Sequence, residues 1–266
     1  MISSADITRA LGDLGVRPDD TLLVHSSLAS SLRVEGGSVA AKVAATVAGL
    51  EQAVPDGRLL LPTFTYSYCD GEDFDVDRSP SRVGALTEAF RRSPGVRRTR
   101  DPLFSMAIRG ALDDAWEARL MTARDTDAFG PESVFALLAD VDAALLFYGI
   151  DLGAATFVHH VEQRLGVPYR YPKTFTGAVI DGVHRTPTVA TYLVRDLEAD
   201  VVPFFAPLER DLRAEGGARS LAMPDGPELL VVRTCALTSA IREGVRSNPL
   251  YLLERGHASS TPEPAP

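Results

Sequence analysis

Two short apolar runs joined by a long helical segment constrain this chain more than any other feature. Thr21-Leu22-Leu23-Val24-His25 is bounded by Pro18-Asp19-Asp20 and by serines, and Arg58-Leu59-Leu60-Leu61-Pro62-Thr63-Phe64 follows the turn Pro55-Asp56-Gly57. Runs of this length, bounded in this way, read as buried strands. Between them an Ala/Val/Leu segment from about Val39 to Gln52 has the length and composition of a helix. Strand, helix, strand in this order predicts a right-handed crossover and a parallel pair. Both strands then end at one sheet edge, and both turn polar there, at His25-Ser26-Ser27 and at Thr63. Ligands in open α/β sheets usually bind at that edge.

The flanking chain extends the pattern. Ile7, Leu11 and Leu14 have helical spacing behind a serine cap, with Gly15 as a stop. Ser79 to Arg92, opened by Pro80, reads as an amphipathic helix, and Asp101 to Ile108 as a turn feeding a strand. A charged helix is expected around Ala111 to Leu120, and another opens at Pro131. Ala143 to Ile150 is the most apolar strand candidate, and Asp151-Leu152-Gly153 leads it into Thr156-Phe157-Val158-His159-His160-Val161-Glu162. Further on, Ala178 to Val183 predicts a hairpin with Asp181-Gly182 at its turn. Leu193 to Leu212, interrupted at Pro203 and Pro207, and Leu237 to Leu253 read as helical. No repeat or linker divides the chain. The expected fold is α/β, one domain over residues 1–257: a central mixed sheet flanked by helices, a C-terminal hairpin and helix portion completing it, and a disordered tail at 258–266.

Charge and composition narrow the partners. With 266 residues, a net charge of −9 and 45% hydrophobic residues, the chain can bury a large core and is a poor candidate for coating nucleic acid. Cys69 and Cys235 are too few for a disulfide framework or a four-cysteine zinc site. The first residues lack the basic segment and apolar run of a signal peptide, and no stretch reaches the roughly 20 apolar residues of a membrane span. A cytoplasmic location, with no membrane or nucleic-acid partner, is expected.

Four segments carry candidate chemistry. Residues three apart on a helix share a face, so His159 and Glu162 can meet while His160 points about 100° away. An imidazole beside a carboxylate is the minimum for a general base near neutral pH, although two ordinary histidines and a solvated glutamate would look the same. Gly36-Gly37-Ser38 precedes a helix N-terminus, a place for an anionic group such as a phosphate, though glycines before helices are common. Asp70 to Asp77 carries five carboxylates in eight residues, including Asp70, Glu72 and Asp73: either a solvated acidic loop or a rim attracting a polyamine. Tyr169, Tyr171 and Phe175 alternate as on one strand face, as core or as a sugar platform, and Arg170 and Lys173 suit an anionic partner such as a carboxylate or a phosphate.

Together these blocks resemble the aminoglycoside 3-N-acetyltransferase family, acetyl-CoA-dependent enzymes with their own α/β fold. The likeness runs through His25-Ser26-Ser27-Leu28, Gly36-Gly37, Pro55-Asp56-Gly57, Pro62-Thr63-Phe64, Pro80-Ser81-Arg82-Val83-Gly84, Phe90-Arg91, Phe129-Gly130-Pro131 and His159 with Glu162, over roughly residues 1 to 165. The resemblance implies that His159 is the general base and Glu162 its companion. It implies that His25, Ser26, Ser27, Gly36, Gly37, Thr63, Phe64, Ser81 and Arg82 line the acetyl-CoA cleft, and that Ser105 lies close to the thioester. Asp70, Glu72, Asp73, Asp101 and Tyr169 are then candidates for the acceptor side. Many members read His-Pro-x-His-Ser where this chain has Asp101-Pro102-Leu103-Phe104-Ser105, so no histidine base exists in that loop. The last hundred residues look unlike the resistance enzymes.

The expected reaction is therefore acetyl transfer from acetyl-CoA to an amine of an aminoglycoside or amino sugar, by a monomer or homodimer and without a metal. One alternative is acyl transfer to a non-aminoglycoside amine of secondary metabolism or surface-sugar assembly. A remote alternative is a metal-dependent hydrolase built on His159, His160 and Glu162. Adjacent histidines diverge on a helix and no His-Glu-x-x-His spacing occurs, so His25 would have to complete such a site.

Overall fold

The computed structural model describes residues 1–196 and 201–256, and the expected disordered tail at 258–266 lies outside them. Strands β1 (Thr21–Ser26), β2 (Arg58–Pro62), β4 (Arg97–Arg98), β5 (Met106–Gly110), β7 (Ala144–Tyr148), β10 (Ala218–Ala222) and β11 (Glu228–Arg233) form a seven-stranded sheet in the order β10-β11-β7-β1-β2-β5-β4. Leu22 pairs in parallel with both Leu59 and Ala144, so β7, β1 and β2 make a parallel centre. Antiparallel β11 and β5 flank it, which makes the sheet mixed as expected.

The alternation of side chains divides the core between the two faces. Leu22, Val24, Leu61 and Leu146 pack toward α1 (Ser4–Asp13), α3 (Val39–Ala53) and α4 (Ala85–Arg91). Leu23, Leu60, Leu145 and Phe147 pack on the other face, toward α5 (Asp114–Leu120), α6 (Val134–Asp140), α7 (Phe157–Leu165), α8 (Ala206–Ala214) and α9 (Thr234–Ser247). The short α2 (Leu28–Ser31) follows β1.

A second sheet, in the order β3-β8-β9-β6, combines β3 (Phe74–Asp75), β6 (Thr126–Asp127) and a long antiparallel hairpin of β8 (Arg170–Asp181) and β9 (His184–Arg195). Phe74, Val179 and Ala190 join the same apolar cluster as Leu23 and Leu145, so the two sheets share a core. The hairpin is longer than its sequence signal. Asp181 pairs with His184 across Gly182 and Val183, and Gly182, at φ +60°, takes the left-handed position of that two-residue turn.

Other boundaries move as well. Leu193, expected in a helix, lies in β9, which runs to Arg195, and the following helix is only Ala206–Ala214. Helix α9 stops at Ser247, and Tyr251, Leu252 and Leu253 are buried in the turn beyond it. Residues Ser79 to Gly84 form a turn, so α4 begins at Ala85 rather than at Pro80: the Arg82 N–H is committed to the Phe64 carbonyl at 2.9 Å. No helix among the described residues is long and apolar enough to cross a membrane.

Candidate active site

The edge where β1, β2 and β7 end carries the site. Strand β7 leaves the sheet through Gly149, at φ +64°, whose position a side chain could not occupy: a Cβ there would lie 1.8 Å from Ser30 Oγ. Asp151 caps the turn that follows, through the Gly153 N–H at 2.9 Å, and α7 begins at Phe157. Helix α7 buries Phe157, Val158, His160, Val161 and Glu162 and ends on Gly166, at φ +63°.

His159 stands at the rim of this helix with 24% of its side chain exposed, while the Glu162 side chain below it is buried. Their contact is 2.6 Å, from His159 Nδ1 to Glu162 Oε2. The Tyr169 hydroxyl donates to Glu162 Oε1 at 3.0 Å, and Arg170 Nε forms an ion pair with Oε2 at 2.7 Å, its N–H aimed off the line of contact. Burial alone would raise the Glu162 carboxyl. The hydrogen bond and charge of His159, the charge of Arg170 and the Tyr169 hydroxyl outweigh it and hold the group below its ordinary value. An ionised Glu162 requires the proton on His159 Nδ1, which leaves Nε2 as the basic nitrogen. Tyr169, expected on the acceptor side, is therefore buried behind the relay, where it positions Glu162.

The neighbouring histidine does something else. His160 turns inward, and its Nδ1–H donates to the Phe129 carbonyl at 2.8 Å. Burial depresses its pKa, so it stays neutral. Among the described residues no three His, Cys, Asp or Glu side chains converge to hold a metal ion.

The floor of the site is built around Arg98, which the sequence did not mark. Its guanidinium donates to the carbonyls of Thr63 at 2.7 Å, Val76 at 3.0 Å and Ser79 at 2.6 Å, and to Ser105 Oγ at 3.1 Å. Burial and the nearby Arg91 push it down to about 9, still charged at neutral pH. Ser105, expected beside a thioester, is fully buried and donates to the Thr63 carbonyl at 2.7 Å. It braces the β2–β5 ends from beneath. Asp101 is half-buried and accepts from the Leu103 and Phe104 N–H groups at 2.8 and 2.7 Å, so its carboxylate shapes the loop.

Three clefts follow the sheet edge. The first, about 580 Å³, is lined by Ser27, Ser30, Arg33, Gly149, Ile150 and Asp151 among others. The second, about 200 Å³, shares Ile150 with it and is lined by His25, Ser26, Phe64, Tyr66, Thr87 and Thr156. The third, about 710 Å³, shares Tyr66 and Thr156 with the second and contains His159, Arg170, Lys173, Phe175 and Tyr192. His25 stacks on Phe147 and is pushed down to about 4 by burial, which keeps it neutral.

Of the expected cofactor-side residues, His25, Ser26, Ser27 and Phe64 line this path. Thr63 is buried beneath it. Ser81 stands one residue behind it, its hydroxyl 2.9 Å from that of Thr87, and Arg82 is exposed and paired with Asp70. Gly36 and Gly37 are exposed ahead of α3 and line none of the three clefts. The acidic segment is spent locally. Asp73 accepts from the Ala178 N–H at 2.9 Å and pairs with Arg185 at 2.8 Å, Asp75 caps its own turn, and neither Asp70, Glu72 nor Asp73 lines the third cleft. Tyr66, Thr156 and Tyr192 were missed because their place in the path comes from the meeting of a loop, a helix start and a distant strand.

A buried, ionised carboxylate holding an imidazole at the edge of the third cleft, which adjoins the second through Tyr66 and Thr156, is an arrangement able to move a proton. Residues 23–241 match the profile of the aminoglycoside 3-N-acetyltransferase family, and the chain belongs to that family. It is 32% identical over 175 residues to aminoglycoside N(3)-acetyltransferase IV of Salmonella sp, across 65% of this chain and 63% of that protein. Over 193 residues it is 25% identical to aminoglycoside N(3)-acetyltransferase VII of Streptomyces paromomycinus, across 63% of this chain and 62% of that protein. Each alignment spans less than two thirds of the relative's length. Among solved structures, apo aminoglycoside acetyltransferase AAC(3)-IVa superposes with a TM-score of 0.72 at 26% identity, covering 94% of this chain and 91% of that one. Sisomicin-bound AAC-VIa superposes with a TM-score of 0.72 at 25% identity, covering 92% and 98%.

Proposed function

We propose that this protein transfers the acetyl group of acetyl-CoA to an amine of a small molecule of the aminoglycoside or amino-sugar class. The observation that carries this reading is the His159–Glu162 pair, with His159 lining the third cleft, which shares Tyr66 and Thr156 with the second. Coenzyme A is assigned to the path past Ser27, Ser26, His25 and Phe64, and the amine to the cleft containing His159.

A protonated amine cannot attack a thioester, so a proton acceptor must stand beside it. His159 Nε2 takes that proton, directly or through a water, and Glu162 stabilises the imidazolium that forms. Nitrogen attack on the thioester carbonyl gives a tetrahedral oxyanion, and its collapse releases the coenzyme A thiolate, which takes up a proton. Two backbone donors at these strand ends are committed elsewhere: Ser27 N–H donates to the Tyr148 carbonyl and Thr63 N–H to the Ser105 carbonyl. The Phe64 N–H has no partner among the described residues, and we assign the oxyanion to it.

His159→Ala is expected to keep the fold and coenzyme A binding and to lose acetyl transfer by on the order of a hundredfold to ten-thousandfold. Free-thiol release measured with acetyl-CoA and a panel of amines reads this directly; near wild-type turnover would refute the role of His159. Thiol release that proceeds equally without any amine would instead favour hydrolysis.

A further inference from the structure

We infer that the acceptor is an amino sugar bearing an anionic group, a phosphate or a carboxylate, bound by Lys173 and Arg195, and not a polycationic aminoglycoside. This rests on the reading of the third cleft as the acceptor half of an N-acyltransferase. The charged side chains lining that cleft, apart from His159, are Arg170, Lys173, Arg195 and Asp196. Arg170 is neutralised by Glu162 behind the relay at 2.7 Å. Lys173 lies over the Phe175 ring at 5.2 Å. Arg195 is exposed at the cleft, with one guanidinium nitrogen on the Val201 carbonyl at 2.8 Å. Among the described residues Asp196 is the single carboxylate in the lining, and it has an interaction of its own.

A ligand with several ammonium groups needs several carboxylates around it. The five carboxylates of residues 70–77, which might have supplied them, lie outside this lining, and three of them hold Arg82, the hairpin and their own turn. Two basic side chains beside the stacked Phe175 and Tyr192 rings, whose centroids are 5.6 Å apart, repel a polycation and suit a sugar ring with an anionic substituent.

The test measures thiol release from acetyl-CoA with glucosamine, three anionic amines (glucosamine 6-phosphate, UDP-linked glucosamine and muramic acid) and apramycin. At least one anionic amine should exceed glucosamine and apramycin in kcat/KM by about tenfold, and Lys173→Glu should abolish that advantage. Arg195→Ala should reduce it in the same direction. Preference for apramycin, or no advantage for any anionic amine, overturns the inference and leaves the acyltransferase reading intact. If no amine is acetylated, the acyltransferase reading fails, and calorimetric titration of the three anionic amines into coenzyme A-loaded protein decides the inference alone: binding weakened about tenfold by Lys173→Glu upholds it, and binding that is absent or indifferent to the substitution overturns it.

Discussion

The parallel centre of the large sheet and the long hairpin meet at the same clefts but are built on different terms. Strands β1 and β7 are buried over almost every residue, Gly149 closes the end of β7, and Arg98 and Ser105 lock the neighbouring end of β2. The hairpin is exposed or half-buried along most of both strands, and it supplies Lys173, Phe175, Tyr192 and Arg195 to the third cleft. A buried half beside a solvated, charged half suits the proposed reaction, a common chemistry with a variable acceptor. Substitutions in the first should act on folding and turnover together, whereas those in the second should act on which amine is used.

The largest expected stability effect tests the locked half. Arg98→Ala removes the donor of the Thr63, Val76 and Ser79 carbonyls in a buried place, and should cost about 3–5 kcal/mol. Urea denaturation reads this; a loss under about 1 kcal/mol would mean that the floor does not act as a unit. Next comes His25, whose value is pushed from the ordinary 6.5 down to about 4 by burial. The unfolded chain takes up that proton first as pH falls, so the stability is complete above about 6.5 and is lost toward 4, by at most about 3 kcal/mol. Comparing denaturation midpoints at both ends of this window, His25→Gln should flatten the dependence; an unchanged slope would place the protonation elsewhere. The smallest effect belongs to the hairpin tip. Val183 is 95% exposed, and Val183→Thr should shift stability by no more than about 0.5 kcal/mol, a null result that thermal unfolding can confirm or break.

Local pattern made the helix and strand skeleton readable. Apolar runs of strand length around a helix were enough for the parallel β1–β2 pair, and i, i+3 spacing was enough to put His159 on Glu162. The pattern was weaker wherever a residue's partner is distant in the chain. Ser105 and Thr63 are 42 positions apart, and only the antiparallel pairing of β2 with β5 turns Ser105 into the floor. Likewise Asp73 meets Arg185 112 positions away, which converts an expected acidic rim into a tie for the hairpin.

What the sequence determined by itself was the set of local periodicities: where strands and helices form, which strand ends turn polar, and that one imidazole has a carboxylate a helical turn away. The tertiary structure decided the charge of the acceptor cleft, the identity of the buried arginine beneath it and the role of Tyr169. Those depend on which distant groups neutralise one another once water is excluded, and a one-dimensional pattern holds no record of that pairing.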